Sequence, residues 1–426
     1  MSELPFQVEE IKRQFDLSGD YTGYDRINNG HINNTYVLHF QENSCCKDFL
    51  LQQINTHVFR NPDELMENIV GVTSYLRQQI EQAGGDPARE TLTVYHTADG
   101  KPYYKDGQGH CWRVYNFISS AYTCQSITEP VVFYNAAKAF GTFQRMLADY
   151  PSESLHETIP NFHNTISRFQ DLLAAIEADE AGRAKLVQEE IAFAKAREAD
   201  CRVLLDLVAA DELPLRVTHN DTKLNNVMFD NDTKQGICVI DLDTVMPGLS
   251  LYDFGDSIRF GANTAAEDEK DLSLVSLDLN LFEQYVKGYL SAAGESLTQA
   301  ERDYLAFSAK LMTFECGIRF LTDYLNGDTY FKTAYSEHNL DRCHTQFALV
   351  ADMERKMEQM QEIIAQNINH PSVVMWGIFS RLWTRGNDVT PYLAKLNRRL
   401  YRRADLGVLW ACAGGKMDGK AAFPAG

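Results

Sequence analysis

The sequence predicts an α+β protein with a small β-rich lobe, a larger and mostly helical lobe, and a helical C-terminal appendage. Three observations carry this. Short strand patterns and one clear helix alternate through the first part of the chain. Helical periodicity takes over from about Glu129. A strand–turn–strand interruption between Leu215 and Asp243 carries a dense set of polar residues. The implied boundaries are 1–118, 119–370 and 371–426.

In chain order, Thr35–Phe40 and Asp48–Gln53 read as strands. A helix follows, opened by Asn61 as N-cap, Pro62 at its first position and the acids Asp63 and Glu64 at its positive dipole end. Leu65, Ile69, Val72, Leu76 and Ile80 fall on one of its faces, and Gly84–Gly85 closes it. Thr91–Tyr95 and Trp112–Ile118 are two further strand candidates, separated by turn-rich segments around Gly100 and Gly107. Phe133, Ala137, Phe140, Phe143 and Leu147 form the first helical stripe of the larger lobe. Others run through 180–209, 272–292, 299–325 and 341–369.

The segment 371–426 differs in composition, with nine basic residues, three acidic ones and the tryptophans Trp376, Trp383 and Trp410. It reads as a short helical appendage packed on an acidic body, or alternatively as a contact surface for another subunit or an anionic membrane.

Lys+Arg 40 against Asp+Glu 59 gives a net charge of −19, which argues against nucleic acid as a partner. No apolar run is long enough to span a bilayer, and the start, MSELPFQVEE, has no secretion-signal character. Nine scattered cysteines without a CxxC pair read as buried or half-buried free thiols of a cytoplasmic protein.

The chemistry concentrates in HNDTKLNNV, residues 219–227, followed by VIDLD, residues 239–243. The H-x-D-x-x-x-x-N spacing puts Asp221 and Asn226 on opposite sides of one loop, and Asp241 returns to the same place at the end of the next strand. Phosphoryl transfer needs that set: a carboxylate to orient and deprotonate a hydroxyl, and two oxygen ligands for Mg²⁺. Asp221 is the expected base, Asn226 and Asp241 the expected metal ligands, and Lys223 the local cation on the transferred phosphoryl group. His219 is expected to brace the loop, as are Asp253 and Asp256; Asp243 is either a brace or a substrate contact.

These motifs, with LYDFGDSIRFGANTAAEDEKDLS, resemble the aminoglycoside phosphotransferase/choline kinase family and, within it, the bacterial N-acetylhexosamine 1-kinases. GHINNTY, LLQQIN, WRVYNFI, FHNTISRF, ECGIRFLTDYLNGDTYF and SEHNLDR are similar to segments of the same sugar kinases, in order from about residue 20 to 360. The tail lies outside the likeness. The resemblance implies a protein-kinase-like bilobal fold with ATP and Mg²⁺ in the cleft between a nucleotide-binding N-lobe and a catalytic, substrate-binding C-lobe. The implied reaction phosphorylates the anomeric hydroxyl of N-acetylglucosamine or N-acetylgalactosamine, a step of amino-sugar salvage.

Carried over by position, His31, Asp221, Phe260, Arg319 and Tyr330 would contact the sugar. A neutral sugar is held by a few hydrogen-bonding side chains and an aromatic face, which these residues supply. Read alone, Phe260 looks like core, and Arg319 is either a buried, paired arginine or a ligand contact. The segment Asn29–Thr35, leading into the Thr35–Phe40 strand, has one glycine, Gly30, so backbone amides with Asn33, Asn34 and Thr35 are expected to cover the phosphates. The third strand carries Gln52 and Gln53 where a Lys or Arg is usual, giving a hydrogen bond to nucleotide but no charge; the sugar kinases read QQ there too. The rival readings are a kinase of another small hydroxylated acceptor (choline, homoserine or an aminoglycoside) and a non-catalytic nucleotide-binding regulator.

Overall fold

The computed structural model describes residues 8–27, 33–42 and 45–368. Helix α1 (Val8–Gln14) precedes the antiparallel strands β1 (Asp20–Ile27), β2 (Asn34–Glu42) and β3 (Cys45–Ile54). Helices α2 (Pro62–Gln82) and α3 (Pro87–Glu90) follow, then β4 (Val94–Tyr95), β5 (Tyr104–Lys105) and β6 (Cys111–Asn116). The strand order is β1-β2-β3-β6-β4, with β5 also on β6. Alternation sorts the sheet's side chains onto two faces. Tyr36, Leu38, Phe40, Phe49, Leu51, Trp112 and Val114 cluster with Ile11 of α1 and Phe15 just beyond it on one of them. Thr35, Gln52 and Arg113 form a cross-strand row on the other, because Thr35 pairs with Gln52 and Gln52 with Arg113.

Helix α2 is built as its sequence predicts. Asn61 caps it, accepting from the Glu64 N–H, and Leu65, Ile69, Val72, Leu76 and Ile80 are buried. Each such aliphatic contributes about 1.5–3 kcal/mol through burial. Gly84, at φ +77°, takes the left-handed turn beyond the C-cap, and the Gly85 N–H bonds the Ile80 carbonyl at 2.9 Å.

The larger lobe begins with β7 (Ala121–Thr123) and helices α4 (Pro130–Met146), α5 (Thr165–Ala178), α6 (Gln188–Lys195) and α7 (Val203–Ala209). The interruption supplies β8 (Arg216–Thr218), β9 (Val227–Asp230), β10 (Gly236–Val239) and β11 (Met246–Gly248). These form two small sheets, β10-β9-β7 and β11-β8. Helices α8 (Ser250–Gly261), α9 (Leu279–Ala293), α10 (Gln299–Asp303), α11 (Leu305–Leu325) and α12 (His338–Ile368) complete it. Helix α8 is the central one, buried at nearly every position, with Phe254 packed edge-on against Phe282, Tyr285 and Tyr289. Gly255 lets α8 lie against α11, since a Cβ there would sit 2.5 Å from the Ser308 carbonyl oxygen.

Several expectations need correction. The stripe at 180–209 is two short helices, and the one at 272–292 starts only at Leu279, where Asp278 accepts from the Asn280 and Leu281 N–H groups. The stretch 299–325 breaks at Tyr304, and Thr91–Tyr95 shrinks to a two-residue strand. Cys45 and Cys46 are exposed rather than buried. Among the described residues, no helix is long and apolar enough to cross a membrane. His31 and the appendage lie outside the described residues.

Candidate active site

The loop from His219 to Asn226 is held from below by α8. Asp253 accepts from the backbone N–H groups of His219 (2.9 Å) and Asn220 (2.7 Å) and from Gln144 Nε2 (2.6 Å). Asp256 accepts from the Thr222 N–H at 3.1 Å, while the Thr222 hydroxyl donates to the Asp253 carbonyl at 2.6 Å. Both aspartates are buried, so the bracing role expected of them holds. Burial raises the Asp253 acid above its ordinary value; for Asp256 the cations Arg259 and Lys223 overcome burial and lower it. His219 is a brace as well. Its Nε2 donates to the Ile240 carbonyl at 2.8 Å and its Nδ1 accepts from the Asp221 N–H at 3.2 Å. Asn220 adopts φ +64° there, a left-handed conformation Asn tolerates.

Asp221 stands above this floor. Its Oδ1 lies 2.7 Å from Lys223 Nζ, and its Oδ2 accepts from Asn226 Nδ2 at 3.2 Å. Asn226 Nδ2 also donates to the Asp221 backbone carbonyl at 2.8 Å, which leaves the amide oxygen of Asn226 as its free donor to a cation. Burial works against the Lys223 ammonium, yet Asp221 and Asp256 raise its acid above the ordinary value, so the cation persists.

Asp241 follows β10 at φ +60° with its side chain open to the cleft. Enclosure by the surrounding protein, then the carboxylates of Asp243 and Asp221, push its acid up to about 6. Asp221 and Asp243 each have a cation at 2.6–2.7 Å, while Asp241 has no ion pair among the described residues, which a bound cation would supply. One carboxylate and one amide oxygen suit Mg²⁺, which fills the rest of its shell with water and phosphate oxygens. Among the described residues no three His, Cys, Asp or Glu side chains converge to hold a metal without such help.

Asp243 is a brace rather than an open contact. It is buried, its Oδ1 lies 2.6 Å from Arg113 Nη2, and its Oδ2 accepts from Asn33 Nδ2 at 2.6 Å. Asn33 Oδ1 in turn accepts from the Asn55 N–H at 3.0 Å. Gln52 Oε1 accepts from Arg113 Nε (3.1 Å) and Nη2 (2.9 Å), and Gln52 Nε2 donates to Thr35 Oγ1 at 3.1 Å. The side chains expected to reach nucleotide thus interlock with one another. Arg113 is the residue sequence reading missed, hidden in the apolar run WRVYNFI.

The residues expected to contact the acceptor, the second wall of the proposed cleft, are set differently. Arg319 of α11 is half-buried, with its guanidinium 5.3 Å from the Phe162 ring and 5.7 Å from the Phe331 ring. Among the described residues it has no hydrogen bond or ion pair, so of the two sequence readings the paired arginine falls away. Tyr330 is 66% exposed and packs edge-on against Phe331. Its loop hangs on the buried Asp323, which accepts from the N–H groups of Thr329, Tyr330 and Phe331 at 2.8–2.9 Å. Phe260, at the end of α8, is 38% exposed and not core. A buried relay ties this wall to the loop: Glu315 bonds His163 at 2.7 Å, and His163 Nε2 donates to the Asn220 carbonyl at 3.1 Å.

A sequence profile described as the phosphotransferase enzyme family, APH, matches residues 25–295. Among solved structures, the chain is similar to a spectinomycin phosphotransferase in complex with ADP and spectinomycin, at 13% identity and TM-score 0.52, over 84% of this chain and 100% of that one. It is similar to a microcompartment-associated aminopropanol kinase at 16% identity and TM-score 0.53, over 83% and 97%. An aminoglycoside phosphotransferase from Alicyclobacillus acidocaldarius matches at 13% identity and TM-score 0.50, over 86% and 98%. The chain belongs to the phosphotransferase enzyme family and has its protein-kinase-like fold.

Proposed function

We propose that the protein is an ATP- and Mg²⁺-dependent kinase that phosphorylates the anomeric hydroxyl of N-acetylhexosamines. The observation that carries the phosphoryl-transfer reading is the convergence of Asp221, Lys223, Asn226 and Asp241 on one cleft in a member of this family. The complex of the similar spectinomycin phosphotransferase with ADP supports an adenine nucleotide as co-substrate. The likeness of GHINNTY, SIRFG and GIRFLTDYLNGDTYF to sugar-kinase segments supports the acceptor.

In this reading Asp221 accepts a hydrogen bond from the anomeric hydroxyl and takes its proton as that oxygen attacks the γ-phosphorus. The bond from the γ-phosphorus to the bridging oxygen breaks and ADP leaves. Mg²⁺, held through Asn226 and Asp241, would neutralise charge on the β- and γ-phosphate oxygens. Lys223, 2.7 Å from Asp221 Oδ1, offers its ammonium to the transferring group. Arg319 donates to sugar oxygens, and the aromatic faces of Phe260 and Tyr330 meet the ring. An unpaired guanidinium on the acceptor wall repels a cationic acceptor such as choline and accommodates a neutral one.

ADP release, measured with Mg²⁺-ATP and a panel of acceptors, tests the assignment. N-acetylglucosamine or N-acetylgalactosamine should stimulate release well above choline, homoserine or an aminoglycoside. Preference for one of those three would overturn the acceptor, and nucleotide binding with no acceptor-dependent release would favour a regulator.

A further inference from the structure

Protein kinases place a lysine on the third strand and pair it with a glutamate of the following helix. Here neither partner stands at its usual place. The third strand presents Gln52, and the following helix, α2, turns Met66 toward the site, its sulfur 3.8 Å from Arg113 Nη1. Glu67 points away and bonds His156 at 2.7 Å. The cation comes from the neighbouring strand instead. Arg113 sits opposite Gln52 in register and reaches across it to Asp243 Oδ1 at 2.6 Å. The anion comes from the loop that carries Asp241, two residues upstream of Asp243.

This ion pair is fully enclosed, with side-chain exposures of 1% for Arg113 and 4% for Asp243. Burying two charges is expensive, and a hydrophobic pair would stabilise the fold as well or better. What the pair supplies is a connection. Through Arg113, Asp243 joins β6 and β3; through Asn33, it joins the residue that precedes β2 and the end of β3. One carboxylate therefore sets the nucleotide lobe against the loop bearing Asp241.

We propose that Arg113 is a positioning residue for phosphoryl transfer, replacing the third-strand cation and acting through Asp243 and Gln52 to hold the Asp241 loop in register with the nucleotide lobe. The proposal rests on reading the cleft as a phosphoryl-transfer site.

The test compares the full chain with Arg113→Met, Arg113→Lys and the double variant Arg113→Met/Gln52→Lys, which moves the cation back to the third strand. Steady-state kinetics with Mg²⁺-ATP and N-acetylglucosamine or N-acetylgalactosamine, whichever the wild type turns over faster, are read beside thermal melting and ATP binding by titration. Arg113→Met should lower kcat by roughly 100-fold, the scale of a misplacement of about 1 Å. Its Mg²⁺ requirement should rise while KM for the sugar stays within about twofold of wild type, because the acceptor wall is separate. Arg113→Lys and the double variant should each regain about tenfold, since both return a cation to the row. Should Arg113→Met fail to fold, those two variants carry the same comparison against wild type, with Arg113→Lys and the double variant each expected about tenfold below it.

A folded Arg113→Met with wild-type kcat and Mg²⁺ dependence would overturn the assignment. So would a folded double variant as inactive as Arg113→Met, or equal losses in kcat and sugar affinity. A wild-type protein that transfers phosphate to neither sugar but to another acceptor would remove the sugar reading alone, the same variants then being read with that acceptor. Wild type without transfer to any acceptor would remove the phosphoryl-transfer reading and this assignment with it.

Discussion

The two walls of the cleft are built on opposite principles. On the phosphate side, the bracing groups are tied to one another and to the loop's backbone. Asp253 and Asp256 claim the backbone of the loop, His219 spans it, and Asp243 gathers Asn33 and Arg113. On the side proposed for the acceptor, Tyr330 and Phe260 are exposed and Arg319 is half-buried, and order comes from one step back, through Asp323 and the Glu315–His163 relay. The difference teaches where rigidity is needed. In the proposed reading, in-line transfer tolerates little misplacement of base and phosphate ligands, so their scaffold is over-determined, while the acceptor contacts are completed by the ligand itself.

The sharpest way to break this contrast is Asp221→Asn, which removes the base and leaves its frame. It should reduce kcat by about 10³-fold with ATP affinity retained, as steady-state rates and a binding titration would show. Removing the frame instead, Asp253→Ala strips the acceptor from two buried N–H groups, at about 1–3 kcal/mol each. A lowered melting temperature and kcat, with sugar KM little changed, is the outcome that fits. On the other wall, Arg319→Ala should raise KM for the sugar by about 10–100-fold, the scale of a charge-assisted hydrogen bond, and leave ATP untouched. A matching loss for ATP would mean the two walls are not separable.

The smallest effect is on stability. The Asp241 acid is raised by enclosure and by Asp243 and Asp221, so the fold favours its protonated form. That contribution is present below the ordinary carboxylate range and is lost as pH rises toward and through about 6. Asp241→Asn should therefore melt slightly higher than the ligand-free wild type at pH 7.5 and alike at pH 4, while its turnover collapses.

The phosphate side was largely legible in the sequence because its chemistry is local. Asp221, Lys223 and Asn226 lie within one loop, and Asp241 follows one strand later. Helix α2 was legible for the same reason, with cap, proline, apolar face and glycine stop in order. Helix α8 reads in the sequence as a motif rather than a helix: Leu251, Phe254 and Ile258 keep helical spacing over only twelve residues, and the buried Asp253, Asp256 and Arg259 draw the eye as chemistry. Strand β1 leaves no signal in the sequence because it is largely exposed and lacks an apolar alternation. Arg113 could not be seen from spacing, since its role needs the registers of β2, β3 and β6 and a partner far along the chain. The exposure of Phe260, and the lack of an ion pair for Arg319 among the described residues, are likewise tertiary facts.

The most direct test of the whole account is the position of the phosphate in the product. Phosphorus NMR of a reaction of Mg²⁺-ATP with N-acetylglucosamine should show an anomeric phosphate, formed only when sugar, nucleotide and Asp221 are all present. Phosphate on another carbon, or an equal yield from Asp221→Asn, would contradict it.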